Sequence, residues 1–465
     1  VKRLAVVGPA ASVFLHGSAG YHGTNGHLVA PLEAIERRAG AAVTVSFAAG
    51  TVLPGGEGVA MAPIPQAWLR TPDGRPGLLG QYFEGTGLSG RPALTRVDPD
   101  VDFGWGDGAP APGLPSDDFS ARWTGKLAVD KSGRYALWVT GDDGYRLSID
   151  GKRVVEDWND HGPRRRSAVM TLQAGRAYDL ALEYYEHGGG AEIRLSYAKF
   201  EDGTAAALEV AKAADAVVFV GGVDASAADE ESDFPSLALP DDQARLFDAV
   251  LEANPRTVLV LQTGNPLVLT PRQRSAPAIV QAWYAGQDSG TAIAEVLFGD
   301  TSPSGKLPIT FYASLADLPP MDDYDVRKGR TYMYFPGEPA FPFGHGLSYT
   351  RFEYGALALS ATSARRDGAL RVEFDVANVG ARAGAEVAQV YVHPPRGPRQ
   401  QLRAFRRVML APGDRARVTV DLAVRDLAHY DAQAKRDVVD PGRYEIRVGG
   451  SSADVRRRAT FDVSE

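Results

Sequence analysis

The chain has no cysteine among its 465 residues. That excludes disulfides, thiolate nucleophiles and cysteine-ligated zinc, and it leaves the compartment open, because an exported bacterial protein can also do without cysteine. Long uncharged apolar runs are missing too, so no segment reads as a membrane span. Basic residues are nowhere massed: there are 50 Lys and Arg against 58 Asp and Glu, the net charge is −8, and a run such as Arg164–Arg166 is too short to change that. Phosphate neutralisation needs clustered cations, so the balance argues against nucleic acid as a partner. The chain opens on Val1 with no initiator methionine, basic stretch or apolar signal core, and this reads as a fragment or mature product.

What is present is the composition of a soluble globular protein, 44% apolar and 23% charged. The length fits roughly three domains at the usual ~100–200 residues each. "RLAVVG" (3–8) and "VTVSF" (43–47) are short β-branched runs on either side of "PLEAIERRAG", which has the spacing and stop signal of a helix ending at Gly40. From about Gly77 to Lys199 the texture changes to short alternating strands separated by turn dipeptides, as in "GRYALWVTGDDG" and "YRLSIDGKRVV". Then α/β texture returns. "ADAVVFVGG" reads as a buried strand, "PDDQARLFDAVLEANP" as a helix with Phe247, Val250 and Leu251 on one face, and "TVLVLQT" and "AIVQAWY" as further strands. An all-β module thus interrupts an α/β domain, which is tolerated when the ends of the insertion lie close together. In the last stretch, "LRVEFDV" puts Leu370, Val372, Phe374 and Val376 on one face and Arg371, Glu373 and Asp375 on the other, the pattern of a small β-sandwich.

The acidic run Asp229, Glu230, Glu231 and Asp233 follows directly on the buried strand of "ADAVVFVGG". Ligands of open α/β sheets gather at the carboxyl ends of strands. Crowded carboxylates raise one another's pKa, so one of them can keep its proton and act as a general acid; the plain alternative is a solvated acidic loop. His16, His22 and His27 lie in the glycine-rich "LHGSAGYHGTNGH", whose spacing does not by itself make a metal site. "GDTSPSGKL" is not a phosphate loop, because five residues separate its glycines and Leu307 follows the lysine. Asp322, Asp323 and Asp325 read as a solvated loop, and the Asp142–Asp143 pair as a hairpin turn.

"LALP" (237–240) with the helix after it, and "QAWYAGQDSGTAIAEVLFGDTSPSGKLPITF" (281–311), resemble the C-terminal α/β-sandwich domain of glycoside hydrolase family 3, the β-glucosidases and β-xylosidases. "GRTYMYF" (329–335) and "FPFGHGLSYTRFEY" (341–354) are similar to further stretches of that family. "VANVGARAGAEVAQVYV" (376–392) resembles its closing fibronectin type III-like domain, and residues 77–199 resemble the protective-antigen-type β-sandwich some members carry as an insert. The resemblance implies a multidomain α/β plus all-β fold: an α/β sandwich at 1–76 and 200–351, an inserted β-sandwich at 77–199 and a fibronectin type III-like β-sandwich at 352–465.

It also implies a retaining exo-β-glycosidase. The family pattern Glu-Gly-x-Asp-Arg-x-x-Leu-x-Leu-Pro, anchored on Leu237, Leu239 and Pro240, puts Asp233 on the motif Asp and Glu230 on the proton donor. Glu231 stands where the glycine should be and Phe234 where the arginine should be, so Glu231 remains the rival. Retaining glycosidases need a second carboxylate about 5–5.5 Å away. In the family it is an Asp of an N-terminal (β/α)8 barrel, which this chain lacks, so the fragment is expected to be almost inactive alone. Asp142 and Asp143 acquire a second reading as ligands of sugar hydroxyls or a calcium ion, as in related lectin-like modules, and Trp158 reads as core or rim with sugar stacking as the alternative. No cofactor or metal is expected, the partner is an oligosaccharide or glycoside substrate, an oligomer is possible, and export to the periplasm or outside is the family expectation.

Overall fold

The computed structural model describes residues 1–13, 15, 27–53, 61–224, 236–431 and 433–464. The chain divides into two compact units, Val1–Asn265 with Arg272–Thr291, and Pro266–Pro271 with Ala292–Glu465. No helix among the described residues is long and apolar enough to cross a membrane.

The first unit is built around five parallel strands. Across the sheet they run Thr44–Ala48, Arg3–Val7, Ala216–Gly222, Thr257–Gln262 and Ala278–Gln281. Strands buried on both faces read as continuous apolar runs rather than alternating ones, and Val217, Phe219 and Val220 are accordingly inaccessible. The helix Pro31–Ala39 stops where expected, at Gly40 with φ 55°, a left-handed conformation that glycine adopts without penalty. The helix Asp241–Ala253 carries Asp241 and Asp242 in its first turn and buries Leu246, Phe247, Val250 and Leu251.

Between the second and third parallel strands the chain forms two antiparallel sheets. One runs Lys152–Asp157, Tyr145–Ile149, Tyr178–Glu186, Phe119–Leu127, Leu78–Glu84 and Leu94–Asp98, and the other runs Arg164–Leu172, Gly133–Asp142, Ala191–Phe200 and Ala62–Pro63. They share one core, with Tyr82, Trp123, Leu147 and Tyr184 from the first facing Tyr135, Leu137, Val139, Ile193 and Leu195 from the second. The second sheet also buries Ala136 and Trp138 on its outer face, with Ala198 and Phe200. In the core Asp98, 3% exposed, accepts hydrogen bonds from Tyr82 Oη at 2.6 Å, Trp123 Nε1 at 2.7 Å and Arg96 Nε at 2.6 Å.

One turn reading is corrected here. Asp150–Gly151 does close a hairpin, with both residues at positive φ and Ile149 opposite Lys152. Asp142–Asp143–Gly144 does not: the strand before it pairs with 164–172 and 191–200, and the strand after it pairs with 152–157 and 178–186. Val139 and Leu147 belong to the same core from opposite sheets, so the chain crosses between layers instead of folding back in one.

The second unit ends in two mainly antiparallel sheets, one of them with Ser363–Arg365 added parallel to Val455–Ser464, over a core that includes Val372, Phe374, Val390, Ile446 and Phe461. Leu370, Val372, Phe374 and Val376 are all buried, as the alternation predicts. The "GRTYMYF" and "FPFGHG" stretches pack on its strands Gly384–His393 and Gln401–Leu410: Tyr332 stacks on Phe343 at 4.1 Å, Leu402 N donates to Tyr332 Oη at 3.0 Å, and Gln389 Nε2 donates to Gly344 O at 3.0 Å. Lys306 of "GDTSPSGKL" is engaged by Glu386 at 3.1 Å and by Gly346 O at 2.7 Å, so it serves a structural pair rather than a phosphate. Asp323 and Asp325 sit in a surface turn with Lys328 and Arg327 at 2.7 and 2.8 Å.

Candidate active site and the rim of the inserted sheets

In chain order the parallel strands are arranged 2-1-3-4-5, so the direction of winding reverses between Arg3–Val7 and Ala216–Gly222. Crevices of this kind, outside the carboxyl ends of adjacent strands, are where open α/β sheets hold ligands. In the sequence the glycine- and histidine-rich stretch follows the strand that ends at Val7, and the acidic run follows the strand that ends at Gly222. Glu230 and Glu231, with Asp229, Asp233 and Phe234, lie outside the described residues, as do His16 and His22; His27 is exposed.

The roots of both loops are tightly fixed. Ala10 N donates to Val220 O at 3.2 Å, and a Cβ on Gly8 would fall 2.3 Å from that oxygen, at a φ of 111°. Gln243, fully buried, donates through Nε2 to Gly222 O at 2.8 Å and accepts from Gly222 N at 3.0 Å, holding the last residue of the strand like a missing ladder partner. Val223 N donates to Gln262 O at 3.1 Å, and Gln262 Nε2 donates to Ala10 O at 3.0 Å, tying one loop root to the other. Tyr284, whose ring lies against Gly264, donates its hydroxyl to Val223 O at 2.5 Å. Asp224, at 4% exposure, is the first acid beyond this anchor. Gln243 is the residue that sequence reading passed over; its signal is a polar side chain four positions before Phe247 on the buried face of its helix. Gln243→Ala leaves a buried N–H and C=O unpaired and should cost about 1–3 kcal/mol, measured by urea unfolding.

A second cluster lies at one end of the inserted sheets. Asp142 and Asp143 leave the strand Gly133–Asp142, Glu186 ends the strand Tyr178–Glu186, and their oxygens come within 4.8 Å of one another. All three are buried, at 8%, 4% and 0% exposure. The Asp142–Asp143 peptide is cis. Asp143 accepts main-chain N–H bonds from His161 at 2.7 Å and His187 at 2.9 Å, and Tyr184 Oη touches the Asp142 carbonyl and lies 2.9 Å from Glu186 Oε2. Asp143 accepts a hydrogen bond on each oxygen and Glu186 meets Tyr184 through one, and each of these oxygens keeps a further lone pair, so the three acids form an oxygen donor set of the kind a calcium-type ion takes. Burial, with the charges of Asp143 and Glu192, pushes the Asp142 carboxyl up to about 6, and burial, with Asp143 and Asp142, pushes Glu186 up to about 7. Glu186 was missed in the sequence; an acid closing an apolar strand just before "HGGG" was the available sign.

Trp158 is half-buried. The Arg146 guanidinium covers its ring at 4.0 Å, and Tyr185 meets it edge-on at 4.9 Å. Tyr185 in turn fills the space beside Gly144, where a Cβ would come within 2.1 Å of its ring. Of "RRR", Arg164 and Arg166 face the buried Asp157 at 3.5 and 3.1 Å, so these two cations are spent inside the insert.

Residues 1–349 match the model of the glycosyl hydrolase family 3 C-terminal domain, and residues 386–452 match a fibronectin type III-like domain. The chain is 36% identical over 422 residues to a beta-glucosidase of Rhizobium radiobacter, covering 82% of this chain and 51% of that protein. It is 35% identical over 408 residues to a xylan 1,4-beta-xylosidase of Xylanibacter ruminicola, covering 83% and 46%. Among solved structures, a beta-glucosidase from Streptomyces venezuelae in complex with D-glucose superposes with a TM-score of 0.72 at 28% identity, covering all of this chain and 56% of that one. A beta-glucosidase from Kluyveromyces marxianus in complex with glucose gives 0.68 at 26%, covering 99% and 58%. The chain spans about half the length of the curated relatives it matches. With three-quarters of its length under a single family model and a parallel sheet whose winding reverses where the acidic loop departs, the chain belongs to glycoside hydrolase family 3.

Proposed function

We propose that the chain is the C-terminal portion of a retaining exo-β-glycosidase of β-glucosidase or β-xylosidase type, removing terminal sugars from β-linked oligosaccharides or glycosides. The observation that carries this reading is the origin of the acidic loop, at the carboxyl end of Ala216–Gly222 where the sheet reverses its winding. Glu230 is the acid/base in this reading and Glu231 its rival. The carboxylic acid first protonates the departing glycosidic oxygen; as a carboxylate it then takes a proton from the water that releases the sugar from the glycosyl-enzyme. Its partner is an Asp nucleophile on a (β/α)8 barrel outside this chain, and residues 77–199 are a protective-antigen-type insert at the mouth of the site. The chain's own described residues supply the anchoring: Gln243 and Tyr284 hold the backbone at Gly222 and Val223, and Gln262 holds Ala10 beside it. Separate alanine replacements of Glu230 and Glu231 in the full-length protein, assayed on alkyl and aryl glycosides, test the assignment.

A second reading, a non-catalytic carbohydrate-binding protein acting through the inserted sheets at Asp142, Asp143 and Trp158, draws on one observation. Trp158 is partly open to solvent and is linked through Tyr185 to Gly144 beside the aspartate pair. Calorimetry with glucose, xylose and their oligomers should then show heat of binding that Trp158→Ala abolishes, and no heat if this reading is wrong.

A further inference from the structure

Between Tyr312 and Thr331 the chain carries one short helical turn, Leu315–Asp317, and no strand. Loops longer than about 12–15 residues without structure of their own are uncommon in compact domains and usually functional. This one is firmly built. Its ends are joined, Thr331 N donating to Tyr312 Oη at 2.8 Å, and Ser314 and Asp317 cap the turn reciprocally. Arg330 reaches across it, donating through Nε to Asp323 O at 3.0 Å and through Nη2 to Pro320 O at 2.5 Å. Asp323 and Asp325 are half-buried: they accept the main-chain N–H groups of Asp325 and Arg327, each at 3.1 Å, and pair with Lys328 and Arg327. The residues that alternate with them, Asp322, Tyr324 and Val326, are exposed, and so are Leu315 and Met321. Met321 stands at 74% exposure and Tyr324 at 89%. Tyr324 has no hydrogen bond or ring contact among the described residues, and Asp322 pairs with no cation among them. Single apolar side chains on a surface are ordinary; four on one loop, held out by a backbone whose polar groups are bonded within it, are the arrangement of a preordered contact.

We propose that this loop is a docking surface for the part of the full-length protein outside residues 1–465, with Tyr324 and Met321 as anchors in an apolar pocket and Asp322 as a rim charge facing a Lys or Arg. The proposal rests on the reading of the chain as one portion of a longer enzyme. Length selects the occupant: the chain covers 51% and 46% of its two curated relatives and 56% of the Streptomyces venezuelae structure, so a body of similar size would share the polypeptide. A tethered partner meets the loop at an effective concentration of the order of millimolar, and domains of one chain share only about 600–1,500 Å². Two large side chains at the centre of such a patch carry most of its energy, and tyrosine is among the residues enriched there. A second copy is the poorer fit. An isologous dimer through so small a patch would set Asp322 of one copy close to Asp322 of the other, like charge against like charge.

The test is photo-crosslinking of the full-length protein with p-benzoylphenylalanine in place of Tyr324 and, as a control, in place of Tyr430, which is 65% exposed. The expected result is a product of unchanged mass in which a peptide containing residue 324 is joined to a peptide from outside residues 1–465. A link to a second copy, a link to a peptide within residues 1–465, no link at all, or an equal yield from both positions overturns the proposal. Tyr324→Ala then measures the contact. It leaves the loop's own bonds intact, and native-state proteolysis of the part outside residues 1–465 should run at least about fivefold faster, while Tyr324→Phe keeps the wild-type rate. An alanine variant cut at the wild-type rate also overturns the proposal. Neither readout uses catalysis, so the docking surface and the acid/base assignment fail separately: the Glu230 and Glu231 variants decide the second, whatever residue 324 touches.

Discussion

Glu230→Ala in the full-length protein is expected to lower kcat/KM toward alkyl glycosides by about 10²–10⁴, the span of a lost general acid. Glu231→Ala should change it by less than about tenfold. The chemistry supplies a second check, because an acid is needed in proportion to the basicity of the leaving oxygen. Aryl glycosides with acidic phenols leave without help, so their glycosylation step should be spared in Glu230→Ala while release of the sugar, which still needs a base, slows. A steady state limited by release would then appear as a fall in kcat with a fall in KM. Should the large loss follow Glu231 instead, the role moves by one residue and the loop reading stands. Should neither substitution matter, the acidic run is solvated surface and the glycosidase reading loses its proton donor.

The largest stability effect is expected in the inserted sheets, at Asp98. Its side chain is 4% exposed and receives the indole N–H of Trp123, the hydroxyl of Tyr82 and the guanidinium of Arg96, which also lies over the Tyr82 ring at 4.7 Å. Asp98→Ala strands three donors, one of them charged, and should cost about 3–5 kcal/mol in urea unfolding. Asp98→Asn keeps an acceptor oxygen and the volume, and should cost about half as much. An alanine variant within about 1 kcal/mol of the wild type would show that water replaces the carboxylate without loss, and the buried network would not be what orders this core.

Much of the fold was legible because it rests on local rules. Alternation in "LRVEFDV" marked the buried face of its strand, and Gly40 and the first-turn acids Asp241 and Asp242 marked where helices end and begin. The acidic run was open to a chemical reading for the same reason, since charge directly after a buried strand needs no knowledge of the rest of the chain, and its residues 229–233 lie outside the described ones. The aspartate pair shows the limit. Read locally, Asp142–Asp143–Gly144 is a hairpin turn; in the structure it is a crossing between layers, where Asp143 is bonded by His161 and His187 and Glu186 arrives from another strand.

By itself, then, the sequence determined which segments are strands and helices, which of their faces are buried, and which short motifs tie the chain to its family. Tertiary structure alone decided the strand order 2-1-3-4-5, the point where its winding reverses, the clamp of Gln243 on Gly222, and the gathering of Asp142, Asp143 and Glu186. The physical reason is that side-chain pattern fixes which face of a strand turns inward, whereas the backbone edges that choose a neighbour present the same N–H and C=O groups in every strand. Partner choice is settled only when all the buried faces are packed at once.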